Sequence, residues 1–411
     1  MRTRTSFILV LTLGNAACDP DGLGRHDPGT LPDDTAADTG SADTGSPVAE
    51  GCRATPQPAD RDRLVMVGYP YAASGAQAQS WGVFTLSADG GIQDSGSRVE
   101  MGRGYGGHVA FTPDGSIGMV AHDDGSLGVF EAQGADQVRV IHGSLEGAFY
   151  ASAVISDPSG EWAWIVDGNW VENGGGLYRA PIDCDSGEIG PAERVLEAKL
   201  PAWLGFMHGR LDRALLVGRE AGGAGGGEDA FLLEPGEAPV VLGGADAFGD
   251  DEAIFAGAAL SFDDATLLIG DNSFFSGLPN RVAVAAVSAA GLEPLQVLED
   301  IDDPVDIVAS PYGDMAVVLS GYSNALFVLD YQAGAAQPYS LAGELDYHGG
   351  APQLPTAAAM VSRGPLKGLV LLTENQGVRR VRFSQGELTD LGLSEFGSGL
   401  DFIPGAIGLQ P

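Results

Sequence analysis

The sequence predicts an all-β chain, a seven-bladed β-propeller of four-stranded antiparallel blades that is closed by a C-terminal strand completing blade one. Three observations predict this fold. Short apolar runs alternate with turn residues along most of the 411 residues. A turn glycine recurs at a nearly constant interval. Glycine and proline are abundant, with 62 Gly and 24 Pro, as in a turn-dense β protein.

The clearest blade lies at residues 109–130, where three apolar runs are separated by turns. Pro113, Asp114 and Gly115 supply the first turn, because Pro presets φ, Asp bonds to its own backbone and Gly accepts a positive φ. A fourth run at residues 138–141 completes a four-stranded meander. Such a sheet cannot bury both faces alone, so it requires neighbouring copies.

The copies are marked by a glycine that follows an apolar strand. These glycines are Gly90, Gly134, Gly187, Gly236, Gly291, Gly334 and Gly386. Their spacing of roughly 43 to 55 residues is the period expected of propeller blades. Seven copies predict seven blades.

Residues 1–17 are predicted to be a signal peptide, because a basic start precedes an apolar stretch that is too short to span a bilayer of about 30 Å. The Ala-Ala-Cys at residues 16–18 resembles the lipobox of bacterial lipoproteins, which implies lipidation of Cys18. Asn15 departs from that pattern, so ordinary cleavage after Ala17 and secretion are the alternative.

Residues 18–57 are predicted to be a disordered acidic linker, because they are rich in Asp, Gly, Thr, Ser and Pro and have few apolar side chains. Their spaced aspartates could also be read as a calcium-binding repeat. If Cys18 carries lipid, Cys52 and Cys184 remain as a pair. In an oxidising compartment they could form a disulfide, and two separate buried thiols are the alternative.

The propeller is predicted to occupy residues 58–411. Its first blade has only three strands, at residues 64–68, at residues 82–86 and near Val99. Blades three to seven are predicted at residues 151–196, 203–242, 256–298, 305–341 and 356–391. The apolar segment at residues 401–409 is expected to supply the missing inner strand and so remove an exposed sheet edge.

The net charge of −35 argues against nucleic acid as a partner and against direct attraction to anionic lipid. A lipid anchor would then be the route to a membrane. The chain is expected to be a monomer. Its partner is expected to be an envelope protein, a glycan or a small molecule.

A binding site is expected on the face that carries the connections after the second and fourth strands, because these connections are long and irregular. The aromatic and histidine side chains predicted to bind ligand there are Tyr71, Trp81, Tyr105, Trp170, Trp203, Phe274 and His348. Aromatic rings beside carboxylates suit a sugar or a cationic group. The structural alternative is that the rings pack the loops onto the ring of blades.

One cluster of acids on this face could hold a metal ion. Asp250, Asp251 and Glu252 are consecutive, and carboxylates suit calcium. The alternative is that these acids are simply solvated. No other cofactor is predicted.

Residues 106–115 read Gly-Gly-His-Val-Ala-Phe-Thr-Pro-Asp-Gly, and residues 305–311 repeat part of the pattern. The pattern is similar to that of YVTN-type and lactonase-type seven-bladed propellers. The lactonase resemblance implies hydrolysis of cyclic sugar-acid esters by a His, an acid and an Arg near the channel mouth. Candidates for these roles are His108, Arg219, Glu220 and Arg281. A structural, hydrogen-bonding His108 is the alternative.

The sequence favours a non-catalytic binding or scaffold propeller of the bacterial envelope that uses its irregular loop face. A lactonase-like hydrolase and a calcium-dependent, adhesin-like module are the competing hypotheses. Sequence motifs of other enzymes, such as Gly-x-Ser-x-Gly and His-Glu-x-x-His, are absent from the chain.

Overall fold

A computed structural model describes most of the region predicted to be the propeller. The described residues are 52, 58, 60–70, 80–102, 109–122, 127–142, 151–168, 175–223, 226–273, 280–321, 323–345, 353–396 and 404–411. The predicted signal peptide, Cys18 and almost all of the predicted linker lie outside them. Within these ranges, no helix is long and apolar enough to cross a membrane.

The architecture is a seven-bladed β-propeller of four-stranded antiparallel sheets. The strands are β1 (Arg63–Gly68), β2 (Ser80–Leu86), β3 (Ile92–Glu100), β4 (Val109–Phe111), β5 (Ile117–Ala121), β6 (Leu127–Ala132), β7 (Val138–His142), β8 (Ala151–Ser156), β9 (Trp162–Asp167), β10 (Gly176–Pro181), β11 (Glu193–Leu196), β12 (Lys199–Phe206), β13 (Ala214–Arg219), β14 (Ala230–Glu234), β15 (Val240–Ala245), β16 (Phe255–Leu260), β17 (Thr266–Asp271), β18 (Arg281–Ser288), β19 (Gly291–Leu298), β20 (Pro304–Ala309), β21 (Met315–Ser320), β22 (Ala325–Tyr331), β23 (Tyr339–Glu344), β24 (Ala358–Met360), β25 (Leu369–Glu374), β26 (Gly377–Ser384), β27 (Glu387–Glu395) and β28 (Ala406–Leu409). A short 3-10 turn spans Ala221–Gly223.

Each blade from the second to the seventh uses four consecutive strands, beginning with β4, β8, β12, β16, β20 and β24. Blade one has the order β28-β1-β2-β3. The C-terminal strand is therefore its innermost strand, as predicted. Val67 pairs with Ile407, and Met66 pairs with Gly408. This antiparallel pairing covers the edge of β1 and closes the ring.

The turn at residues 113–115 forms where the sequence predicted it. Thr112 Oγ1 donates to Asp114 Oδ1 at 2.7 Å, and Ser116 N donates to the same oxygen at 3.0 Å. Gly115 has a φ of 72°. The Asp114 carboxylate thus accepts hydrogen bonds from donors that would have no backbone acceptor in a tight turn.

The core consists of seven hydrophobic clusters, one between each pair of neighbouring blades. Strand β1 shows how a blade serves both sides. Leu64 and Met66 face blade two, whereas Val65 and Val67 face blade seven. Side chains alternate along a strand, so each sheet buries both faces only when it has two neighbours. The ring of blades is therefore the condition for a closed core.

A disulfide joins Cys52 to Cys184 beside blade three, with an S–S distance of 1.94 Å. Cys52 is buried, and its backbone lies directly over the turn at Gly160. A Cβ atom at Gly160 would be 2.4 Å from the Cys52 oxygen. The bridge attaches this early residue, which belongs to the predicted linker, to the body of the propeller.

Candidate functional site

The two faces of the ring differ in their connections. The turn face carries the turns between the first and second strands, including residues 112–115, 157–160 and 310–313. The loop face, on the opposite side, carries the connections after the second and fourth strands of each blade. Large parts of those connections lie outside the described residues.

A cavity of about 170 Å³ lies on the propeller axis, at the end nearer the turn face. All seven blades line it, with residues 109–113, 155–158, 205–208, 258–260, 307–311, 358–363 and 407–411 among the contributors. Much of the wall is apolar, since the inner strands present Val109, Ile155, Ile307 and Ile407. The volume is similar to that of an engineered cavity of about 150 Å³ that binds benzene. The cavity can therefore hold a small ligand.

Trp203 contributes an aromatic surface to this cavity. The side chain is buried, and its Nε1 has no hydrogen-bond partner among the described residues. The indole fits because residue 205 is glycine, where a Cβ atom would be 2.2 Å from the ring. Trp203, predicted to bind ligand, thus lies at a cavity, although on the side away from the loop face.

Three arginines stand close together where blade one meets blade seven. Arg63 and Arg363 line the cavity, and Arg61 donates to Gln410 Oε1 at 3.2 Å and to Pro411 O at 2.8 Å. Burial, together with the charges of Arg61 and Arg363, lowers the pKa of Arg63 to about 10. Burial and Arg363 also lower the pKa of Arg61. The Arg63 side chain therefore remains cationic at neutral pH.

A histidine and an aspartate meet on the other side of the cavity. His208 Nδ1 lies 2.9 Å from Asp264 Oδ1, and the same carboxylate accepts hydrogen bonds from His208 N and Gly209 N. His208 lines the cavity. An acceptor at Nδ1 fixes the tautomer and orientation of an imidazole. The pair joins the turn of blade four to that of blade five.

The loop face between blades four and five carries an ion-pair network centred on Arg281. Its Nε donates to Asp271 Oδ2 at 2.9 Å, and its two terminal nitrogens donate to the two oxygens of Asp250, each at 2.8 Å. The bonds to Asp250 are the main cause that raises the pKa of Arg281. Every nitrogen of this guanidinium therefore donates to a carboxylate.

The other two described candidates for catalysis are also engaged. Arg219 donates to the backbone oxygens of Asp251 and Ala253, and its Nε lies 3.7 Å from Asp229 Oδ1. Glu220 Oε2 lies 2.6 Å from Lys199 Nζ. His108 lies outside the described residues. The structure thus brings Arg219 and Arg281 to the same segment at residues 250–253, whereas Glu220 pairs with Lys199.

The acidic cluster at residues 250–252 is part of the same network. Asp250 binds Arg281 through both oxygens and also accepts from Glu252 N at 2.9 Å. Its pKa is lowered, chiefly by the hydrogen bonds from Arg281. Among the described residues, no group of three or more His, Cys, Asp or Glu side chains is placed to hold a metal ion.

The predicted aromatic ligands divide into three groups. Trp81 is buried in the core between blades one and two, and its Nε1 donates to Gly102 O at 3.1 Å, which is a packing role. Trp203 lines the axial cavity. The remaining members lie outside the described residues, and these are Tyr71, Tyr105, Trp170, Phe274 and His348.

Sequence analysis did not single out the polar residues that line the cavity or contact its lining. Arg63, Arg363 and His208 line it, and Arg61 and Asp264 bind lining residues. They lie at or beside the short turns of the turn face. Sequence analysis placed the binding site on the loop face instead, because the connections there are long and irregular. One signal was available, because 21 basic residues in a chain with 56 acids make two arginines at positions 61 and 63 conspicuous.

Comparisons with known proteins show the fold. No protein-family model matches the chain, and no curated protein matches it. A solved structure from Lactobacillus plantarum is similar, with a TM-score of 0.63 and 11% identity, over 85% of this chain and 99% of that one. The periplasmic gluconolactonase of Pseudomonas aeruginosa is also similar, with a TM-score of 0.60 and 14% identity, over 85% and 99% of the two chains.

A third similar structure is a functionally unknown protein of Desulfotomaculum acetoxidans, with a TM-score of 0.56 and 13% identity, over 84% of this chain and 98% of that one. At these identities the likeness concerns the fold alone. The similarity to propellers of the lactonase type is thus architectural, and function has to be argued from the site.

Proposed function

We propose that this chain is a non-catalytic binding propeller of the bacterial envelope that takes a small ligand in its axial cavity. The envelope location rests on the leader and the acidic linker in the sequence. Binding rests on the cavity, which is concave, largely apolar and lined by a few converging polar groups. The loop face remains a second surface that is predicted to bind a partner or ligand.

The axial cavity carries the binding part of the proposal, and the state of Arg281 supports its non-catalytic part. A lactonase would need an arginine able to stabilise the developing oxyanion of the opening ester. Arg281 instead holds Asp271 and Asp250 with all three of its nitrogens, and Asp271 is buried. Freeing this guanidinium would leave a buried carboxylate without its cation, which is costly. The network is built for stability.

Lactone hydrolysis in the axial cavity is the second candidate, and the His208–Asp264 pair favours it. An imidazole whose Nδ1 faces a carboxylate can act as a general base through Nε2. Across the cavity, Arg63 and Arg363 could stabilise an oxyanion. The two candidates differ in one respect, namely whether a cyclic ester is turned over or only bound.

A thermal-shift screen with a cavity-blocking variant tests the binding function. Ala309 lines the cavity, so Ala309→Phe should fill it. Ala289 is exposed in the turn before β19, so Ala289→Phe is the matched control. Small neutral, cationic and anionic compounds are added to each protein. At least one class should raise the Tm of the wild type and of Ala289→Phe but not that of Ala309→Phe.

Two results would overturn the proposal. The first is a Tm increase that survives in Ala309→Phe, which would place binding elsewhere, including the loop face. The second is turnover of D-glucono-1,5-lactone above its spontaneous rate, measured by proton release. Turnover lost in His208→Ala would establish the hydrolase in the axial cavity, and turnover lost in Arg281→Ala would place it at the loop face.

A further inference from the structure

Within the arginine cluster at the rim of the axial cavity, the buried charge of Arg63 has no counter-charge among the described residues. Arg63 is 2% exposed, and its Nη1 has no hydrogen-bond partner among the described residues. Within the same ranges, the Arg63 side chain forms no ion pair with an Asp or Glu carboxylate. The hydrogen bonds of Arg61 go to Gln410 Oε1 and Pro411 O.

This arrangement is unusual for a chain with 56 acidic and 21 basic residues. Buried charges are normally paired, because burial removes the water that would otherwise solvate them. Burial, followed by the charges of Arg61 and Arg363, disfavours the cationic form of Arg63 and lowers its pKa to about 10. At neutral pH the positive charge of Arg63 nevertheless persists, without a carboxylate partner among the described residues.

We propose that Arg61, Arg63 and Arg363 form an anion-binding site, and that its ligand is a small organic carboxylate whose apolar body enters the axial cavity. A guanidinium presents parallel N–H groups that match the two oxygens of a carboxylate. The wall of the same cavity includes Leu409, Val361 and Met360, which suit an apolar body. The proposal rests on the proposed binding function and specifies the ligand class.

The position of the cluster also favours this ligand. Arg63 begins β1, Arg363 follows β24, and Gln410 follows the closing strand β28. Gln410 is held in turn, because its Nε2 donates to Gly115 O at 2.7 Å. The cationic rim is therefore fixed by blades one, two and seven at the seam of the ring. A rigid, preorganised rim loses little conformational entropy on binding.

Calorimetric titration with paired probes tests the proposal. Benzoate is the carboxylate probe, benzyl alcohol is a neutral probe with the same ring, and inorganic phosphate is a bare oxyanion. The proteins are the wild type, Arg63→Gln and, as a control, Arg139→Gln, which alters an exposed ion pair with Glu131. Benzoate should bind the wild type and Arg139→Gln alike, and Arg63→Gln should bind it at least about tenfold more weakly. The affinity for benzyl alcohol should differ little among the three proteins.

Thermal melting of the same proteins shows that each variant is folded. Equal binding of benzoate and benzyl alcohol, unchanged in Arg63→Gln, would overturn the anion site but leave the cavity function intact. Tighter binding of phosphate than of benzoate would overturn the ligand class. No binding of benzoate to the wild type would mean that the charges are neutralised within the chain and would also overturn the anion site. The proposed function fails separately, if Ala309→Phe leaves the binding of every probe unchanged.

Discussion

Two buried arginines of this propeller are held in opposite ways. Arg379, in blade seven, donates to Glu374 Oε1 at 2.6 Å, to Glu374 Oε2 at 3.3 Å and to Asp390 Oδ2 at 2.9 Å. Arg63, at the rim of the cavity, makes no ion pair in the described part of the chain, and its charged neighbours Arg61 and Arg363 are also cationic. The difference separates a cation that is paired within the fold from one that we propose is available to a ligand.

The comparison makes stability and binding separate readouts. Removing a paired arginine leaves a carboxylate buried without its cation, so the folded state should lose free energy. Removing an arginine with no counter-charge relieves repulsion, so the folded state should lose little or gain. Benzoate affinity should respond in the opposite way, with a large loss when Arg63 is replaced and little change when Arg379 is replaced.

The largest effect is expected for Arg379→Met. Glu374 and Asp390 are both buried, and burial is the main cause that raises the pKa of Glu374. The substitution should lower the free energy of unfolding by about 3 to 5 kcal/mol, measured by urea denaturation. Arg382→Met is the control, because Arg382 donates only to a backbone oxygen on the surface. Equal losses in the two variants would contradict the structural role of Arg379.

Arg281→Gln should have the next largest effect. It leaves the buried Asp271 without its cation, at an expected cost of about 2 to 3 kcal/mol in the free energy of unfolding. Benzoate affinity should not change, because Arg281 lies at the loop face. A variant of native stability with altered benzoate binding would assign Arg281 to the ligand site instead.

Asp229 provides an intermediate case with a pH signature. Burial is the main cause that raises its pKa to about 6, and hydrogen bonds from Phe248 N and the charge of Arg219 oppose the shift. An unfolded aspartate has a pKa of about 3.9, so the folded chain retains a proton that the unfolded chain releases. The contribution of Asp229 to stability is therefore greatest at low pH and falls as the pH rises through about 6.

The matched variant is Asp229→Asn. From pH 4 to pH 7.5, the free energy of unfolding of the wild type should fall by about 1 to 2 kcal/mol relative to the variant. Urea denaturation at the two pH values measures this difference. A change of the opposite sign would show that Arg219, with its Nε 3.7 Å from Asp229 Oδ1, stabilises the carboxylate more than burial destabilises it.

The smallest stability effect is expected for Arg63→Gln. The substitution removes one of several neighbouring positive charges. The free energy of unfolding should therefore stay unchanged or increase by no more than about 1 kcal/mol. A loss as large as that of Arg379→Met would mean that Arg63 has a carboxylate partner within the folded chain, and the two arginines would then belong to the same class.

The fold could be predicted largely from local sequence. Turn residues such as Pro113 and Gly115 act within a few positions. The closing strand could be predicted because the first blade lacked an inner strand and the C-terminal segment is apolar. All but one of the predicted turn glycines have a positive φ, the exception being Gly236. These features depend on short-range chemistry, which one sequence displays.

The site could not be predicted in the same way. Arg63 and Arg363 are 300 positions apart in the sequence and meet only because the ring closes between blades one and seven. His208 and Asp264 likewise meet only across two blades. Sequence reasoning favoured the loop face because its connections are long, and it had no means to see that inner-strand ends and short turns enclose a cavity.

A crystal structure with 4-bromobenzoate tests the central claim most directly, because the anomalous signal of bromine locates the ligand. The expected result is bromine in the axial cavity, with the carboxylate about 3 Å from the Arg63 guanidinium. A bromine site at the loop face or on the outer surface, with the axial cavity empty, would contradict the claim that the turn-face end of the axis is the binding site.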